Sequence, residues 1–179
     1  NQIALNLSSM TYMFAMGLGV TAMIRVGNQK GKRDFVSLRR VAISIFFLII
    51  LLDAVFCGFF LLFNEQLPAF YLNNSNSAIA ADVNEVLFWA SQLLIVSAFF
   101  QISDGLQAVV LGSLRGLQDV NIPAVITFVA YVLFGAPICY YLGIHTSLGV
   151  TGIWIGLLSG LTASAILLLL RFQHLSKKL

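Results

Sequence analysis

The chain has 179 residues, of which 59% are hydrophobic and 9% charged, against the roughly 25% charged that a soluble globular domain carries. That balance excludes a soluble domain. Ten Lys and Arg against seven Asp and Glu give +3 and a pI near 9.1, but the cations lie between apolar blocks instead of in one patch, which argues against nucleic acid as a partner.

Five stretches carry at most one charge each and are long enough for the roughly 20 helical residues that cross about 30 Å of hydrocarbon. Lipid offers backbone N–H and C=O groups no partner, so these stretches are expected to be helices. The first, Ile3 to Ile24, is uncharged. On it Gln2, Asn6, Ser9, Met13 and Met16 recur at intervals of four and three and share one stripe. Amides and pliable thioethers on one face suit a cavity for varied ligands, or serve as polar glue between helices. The second stretch, Val41 to Phe63, contains Asp53, which either lines a cavity or is satisfied at a helix contact. Both cysteines, Cys57 here and Cys139 in the fourth stretch, lie in apolar runs, so neither a disulfide framework nor a CxxC site is present.

The third stretch, Val86 to Gly112, puts Ser97, Gln101, Asp104 and Ala108 on one stripe. An aspartate near mid-membrane costs about 2.5–3.5 kcal/mol on insertion scales, so it faces the bundle interior or water; there it binds a proton or cation, or only fixes helix packing. In the fourth, Ile122 to Gly143, Pro123 opens the span harmlessly, whereas Pro137 lies inside it and predicts a bend or break. The fifth, Leu148 to Leu170, carries Gly152, Gly156, Gly160 and Ser164 at every fourth position, a ridge for close helix packing. The expected fold is an all-α polytopic membrane helix bundle with five transmembrane helices, residues 1–179 forming a single membrane domain.

If the first stretch ends in the cytoplasm, all ten basic residues are cytoplasmic: Arg25 to Arg40, Arg115, and Arg171 to Lys178. The opposite loops, Asn64 to Glu85 and Ile144 to Ser147, contain no Lys or Arg. This asymmetry predicts a cytoplasmic carboxyl terminus, and anionic headgroups account for the basic pI. Gly27 and Gly31 in the first basic segment fit no phosphate loop and read as a cytoplasmic turn. No HExxH, GxSxG or Walker A pattern occurs, so neither an enzyme nor a cofactor is expected. The chain opens on Asn1 without a leader, and its span number is odd, as expected of a piece whose partners include further amino-terminal helices of the same protein.

Three passages are familiar in kind: Arg25-Val26-Gly27-Asn28-Gln29 with Gly31; Asp104-Gly105-Leu106-Gln107 running to Gly112-Ser113-Leu114-Arg115-Gly116-Leu117-Gln118-Asp119; and Gly149-Val150-Thr151-Gly152-Ile153-Trp154-Ile155-Gly156. They resemble the multidrug and toxic compound extrusion (MATE) transporter family, and Gln2-Ile3-Ala4-Leu5-Asn6 is similar to the opening of that family's eighth helix. The resemblance covers nearly the whole chain and implies helices eight to twelve of a twelve-helix, two-lobe transporter, a multi-pass protein of a bacterial inner membrane. It implies a secondary active antiporter that exports cationic or amphipathic drugs in exchange for Na+ or H+, the coupling ion standing where a cofactor would. In sodium-coupled members an acidic residue of helix ten belongs to the cation site. Asp104 is at the matching place, which implies a role as coupling residue and Na+ ligand, its usual acidic partner preceding Asn1.

Gln2, Asn6, Ser9, Met13, Asp53, Ser97 and Gln101 are the candidates for lining a substrate cavity. Two other functions stay open. A lipid-linked precursor flippase of the same superfamily would favour a cationic cavity for pyrophosphate, and no Lys or Arg lies inside a span. A non-transporting membrane protein would leave two mid-membrane carboxylates without use.

Overall fold

In the computed structural model, residues 2–67, 83–146 and 148–178 are described, without the side chains of 2–4 and 83–87. The helices are α1 (Gln2–Gly31), α2 (Phe35–Leu62), α3 (Val83–Gly116), α4 (Asn121–Ala130), α5 (Ala136–Ile144) and α6 (Gly149–Lys178), with a π-helical turn, Tyr131–Gly135, joining α4 to α5. Among the described residues five spans are long and apolar enough to cross a membrane, the α4–α5 run counting as one, and there is no strand. This is an all-α, multi-pass membrane protein.

Each span is longer than the apolar stretch that announced it. The first stretch was expected to end at Ile24 but α1 continues to Gly31, and α6 continues past Leu170 to Lys178. Charges mark where a helix leaves hydrocarbon, whereas the helix itself stops only where capping stops it. The turn expected around Gly27 and Gly31 is therefore displaced: both glycines are helical, and the turn falls at Lys32 and Arg33.

Helix α3 is central. Helices α1, α2 and α6 pack around it, and the α4–α5 span packs chiefly on α6. The largest buried cluster joins Ala15, Ala22 and Val26 of α1, Leu38, Ile45 and Ile49 of α2, Val109 and Leu114 of α3, and Leu168 and Phe172 of α6. Outside it, Phe47, Leu62, Phe128, Leu133 and Leu170 are exposed, as lipid-facing side chains are.

Closeness of α1 and α3 depends on glycine. A Cβ at Gly112 would strike the carbonyl oxygen of Gly19 and lie 2.8 Å from its carbon; one at Gly116 would lie 2.5 Å from Met23 O and 3.0 Å from Gly27 N. Backbone thus touches backbone along two turns. A second ridge, on α6, faces the α4–α5 span: a Cβ at Gly156 would strike Cys139 N, and one at Gly160 would lie 2.9 Å from the Cα of Gly135. Near Pro137 the pitch changes. Pro137 has no N–H for the carbonyl of Leu133, and the Ala136 N–H reaches five residues back to Tyr131 O, so the chain widens into a π turn and does not break.

Helices α1 and α3 end alike. In each, a Gly-x-x-x-Gly segment is followed by a residue in the left-handed region, Arg33 at φ +58° and Gln118 at φ +62°. Asp34 N donates to Gln29 O (3.1 Å) and Arg33 N to Lys30 O (3.0 Å); Asp119 N donates to Leu114 O (3.0 Å) and Gln118 N to Arg115 O (2.9 Å). These are Schellman caps, which favour glycine at the position that Arg33 and Gln118 hold. Arg33→Gly is expected to stabilise the protein by about 0.5–1 kcal/mol, the left-handed strain of an L-residue less the added freedom of the unfolded chain, read as a rise in apparent melting temperature in detergent.

Asp34 then opens α2. Its Oδ1 accepts from Ser37 N at 3.0 Å, and the hydrogen bonds of Ser37 hold its carboxyl below the ordinary value. Because the folded-state value is the lower one, this cap is complete above the ordinary carboxylate range and is lost as pH falls through the depressed value. Acidification should lower the protection of the amides over residues 35–38 several-fold relative to their intrinsic exchange rates at the same pH, and Asp34→Ala should do so at neutral pH.

Candidate functional site

The basic ends of the helices meet on one side. Lys30 Nζ donates to Leu117 O (2.7 Å) and Gln118 Oε1 (3.2 Å), which ties α1 to the end of α3. Arg39 Nε donates to Ser176 O at 2.7 Å, and Arg171 pairs with Asp119 at 2.9 Å. Three cations of three helices thus close one end of the bundle.

Above this end, α3 presents its polar side chains. Asp104 stands about 18 Å from Gly116, at 1.5 Å per residue, which is deep in the span. It is half-buried, and its carboxylate makes no hydrogen bond or ion pair with any described residue. Tyr12 of α1 and Tyr131 of the π turn lie within its electrostatic reach, and Tyr131 hydrogen-bonds to the side chain of Gln107. Gln101 and Gln107, one turn to either side of Asp104, are both buried; neither polar atom of Gln101 and not the Oε1 of Gln107 has a partner among the described residues. Buried amides left unpaired cost about 1–3 kcal/mol each, so this stripe holds polar capacity that the described helices do not use.

Asp53 approaches the same turn of α3 from another side. It is 2% exposed, and its carboxyl lies on the backbone of Gly105, where an added Cβ would strike Oδ2 and sit 2.9 Å from Cγ. Its Oδ2 has no partner among the described residues. Asp53 is therefore at a helix contact, with one oxygen unsatisfied there.

The remaining candidates separate. Ser97 is fully buried, and its hydroxyl is bonded to that of Ser8 across the α1–α3 contact. Asn6, Ser9 and Met13 are exposed on α1, with Ser9 Oγ donating to Leu5 O at 2.8 Å. The side chain of Gln2 lies outside the described residues. Met16 lines a cleft of about 320 Å³ between α1 and α3, together with Tyr12, Gly19, Ala108 and Arg115. Arg115 also lines a neighbouring cleft beside Thr127 and Phe128 of α4. Among the described residues no group of three or more His, Cys, Asp or Glu side chains is placed to hold a metal ion.

Tyr12, Gln107 and Tyr131 were not expected from the sequence. Gln107 was legible, being three residues after Asp104 and so on its face. The tyrosines were not, since only packing brings two other helices to that face.

A family model described as MatE matches residues 1–141. The chain belongs to the MatE family. Among relatives of the MatE chain, a protein of Rhodopseudomonas palustris named "Probable multidrug resistance protein NorM" is 37% identical over 177 residues, 99% of this chain and 36% of that protein. The "Multidrug resistance protein MdtK" of Proteus mirabilis is 38% identical over 172 residues, 94% of this chain and 36% of that protein. The MatE chain therefore spans a little over a third of the length of these relatives. In fold it is similar to the crystal structure of the eukaryotic MATE transporter AtDTX14, with a TM-score of 0.83 at 22% identity over 99% of this chain and 39% of that one. It is also similar to an inward-facing multidrug resistance MATE family transporter of the MOP superfamily, with a TM-score of 0.80 at 16% identity over 98% of this chain and 38% of that one.

Proposed function

We propose that this chain is part of a secondary active multidrug exporter of a bacterial inner membrane, carboxyl terminus in the cytoplasm, which expels cationic or amphipathic compounds in exchange for Na+ or H+. It is a transporter and not an enzyme. The observation that carries the reading is Asp104, a half-buried carboxylate deep in the central helix that is not spent on any described partner. A carboxylate kept at that depth against its insertion cost, and not used for helix packing, is available to a proton or cation. The names of the NorM and MdtK relatives support drug export as the transport direction.

In this mechanism the coupling ion neutralises Asp104. Neutralisation changes the free-energy difference between the outward-open and inward-open states and lowers the affinity for a cationic drug, so the two ligands alternate. Amide oxygens of Gln101 and Gln107 stand one turn away on the same helix as further donors for a bound Na+. The exposed face of α1, with Asn6, Ser9 and Met13 and with Gln2 before them, supplies one wall of the drug path; Asp53, Ser97 and Gln101 support it from within the bundle. Other walls belong to amino-terminal helices of the longer protein. The flippase reading has less support, since among the described residues Arg115 is the single cation lining the two clefts on the α1 and α4 sides of α3.

The test is efflux of ethidium or norfloxacin from drug-sensitive cells expressing the protein, with the sodium and proton gradients collapsed one at a time. Efflux is expected to stop with one of the two, which names the ion. Efflux indifferent to both gradients would overturn ion coupling; no efflux, with protein present in the membrane, would favour the flippase.

A further inference from the structure

On the far side of the bundle from the α1–α3 cleft, α2 and α6 enclose a groove of about 540 Å³. Its walls are apolar: Ile43, Phe46 and Ile50 on α2 and Leu169 on α6. Phe46 meets Phe172 edge-on at 5.3 Å, which closes the floor. At the basic end of the bundle the character changes abruptly, because Arg39 and Lys177 form the mouth. Arg39 is fixed there by donating Nε and Nη2 to Ser176 O, and Nη1 remains for another acceptor. Lys177 is exposed and has no hydrogen-bond or ion-pair partner among the described residues. The groove lining includes no carboxylate.

We propose that this groove is a binding site for an anionic phospholipid. The phosphate is held between Arg39 and Lys177, and one acyl chain runs along Ile43, Phe46 and Ile50, two turns or about 10 Å of helix. Three features favour this occupant. The cations stand at one end of an otherwise apolar groove, matching a molecule with its charge at one end. A guanidinium fixed by a backbone carbonyl is pre-organised to receive a phosphate oxygen at little entropic cost. Under the orientation proposed above, the mouth also lies at the cytoplasmic leaflet, whose surface is anionic.

The experiment is native mass spectrometry of the intact protein released from nanodiscs of mixed phosphatidylglycerol and phosphatidylcholine. Retention is read without any transport assay, so its failure and the failure of the export reading are distinguishable. Phosphatidylglycerol is expected to be retained over phosphatidylcholine. Lys177→Gln should lower that retention about fivefold, the share of one cation near an anionic headgroup. Arg40→Gln, an exposed cation outside the groove lining, should not. Ile43→Trp, which fills the apolar half and keeps both charges, should lower retention too. Equal retention of the two lipids, equal effects of the Lys177 and Arg40 variants, or displacement of the lipid by millimolar inorganic phosphate alone would each overturn the proposal.

Discussion

Asp104→Asn is expected to leave the amount of protein in the membrane unchanged and to lower ion-coupled drug efflux by more than about tenfold, the scale of a coupling free energy of 1–3 kcal/mol. The substitution keeps shape and polarity and removes only the ionisable oxygen. Asp104 is half-buried and spends no hydrogen bond on the described helices, so packing around it loses little. Asp53 is the control. It is a carboxylate of α2 that faces the same turn of α3, but pressed onto the backbone of Gly105 and almost fully buried. Asp53→Asn should change thermal stability and, because its carboxylate lies within electrostatic reach of Asp104, shift the ion dependence of efflux without abolishing it. Both variants would be measured at matched expression, with each gradient collapsed separately; wild-type coupled efflux from Asp104→Asn would contradict the assignment.

Gly112→Val is the second large effect, and it acts on stability. At Gly112 the obstacle to a side chain is the carbonyl group of Gly19, part of a helix backbone that has no rotamer to yield. Helices α1 and α3 must therefore separate, which opens the core around Ala15, Ala22 and Val109. The expected cost is about 1–3 kcal/mol or more, the usual penalty for overpacking, read as a lower apparent melting temperature in detergent. Gly17→Val gives the comparison, since nothing lies within 4 Å of a Cβ there. Equal shifts for the two variants would show that helix propensity, and not the α1–α3 contact, sets the cost.

Legibility in the sequence followed the range of the interaction. Spans were legible because hydrocarbon thickness demands long uncharged runs, and the membrane fold follows from them. Helix ends were not, because they depend on left-handed caps that here use Arg33 and Gln118 in place of glycine. Small residues at every fourth position stood out on α6. The ridge between α1 and α3 did not, because Gly19 and Gly27 are eight residues apart and their partners, Gly112 and Gly116, lie on another helix. In the candidate site, the stripe through Gln101 and Asp104 was legible from helical periodicity within one segment. That Tyr12 and Tyr131 stand beside it, and that Asp53 lies against Gly105, depends on which helices neighbour α3, and no local pattern states that.

In the proposed mechanism one carboxylate, Asp104, is shared in time between the coupling ion and the drug. Ethidium affinity of the purified protein, read by equilibrium fluorescence with the coupling ion absent and then saturating, decides whether it is. If Asp104 is shared, the ion weakens ethidium binding by about five- to a hundred-fold in the wild type, and the same titration of Asp104→Asn shows one affinity under both conditions. An ion effect of wild-type size in the Asn variant would contradict the claim and place the coupling on another residue.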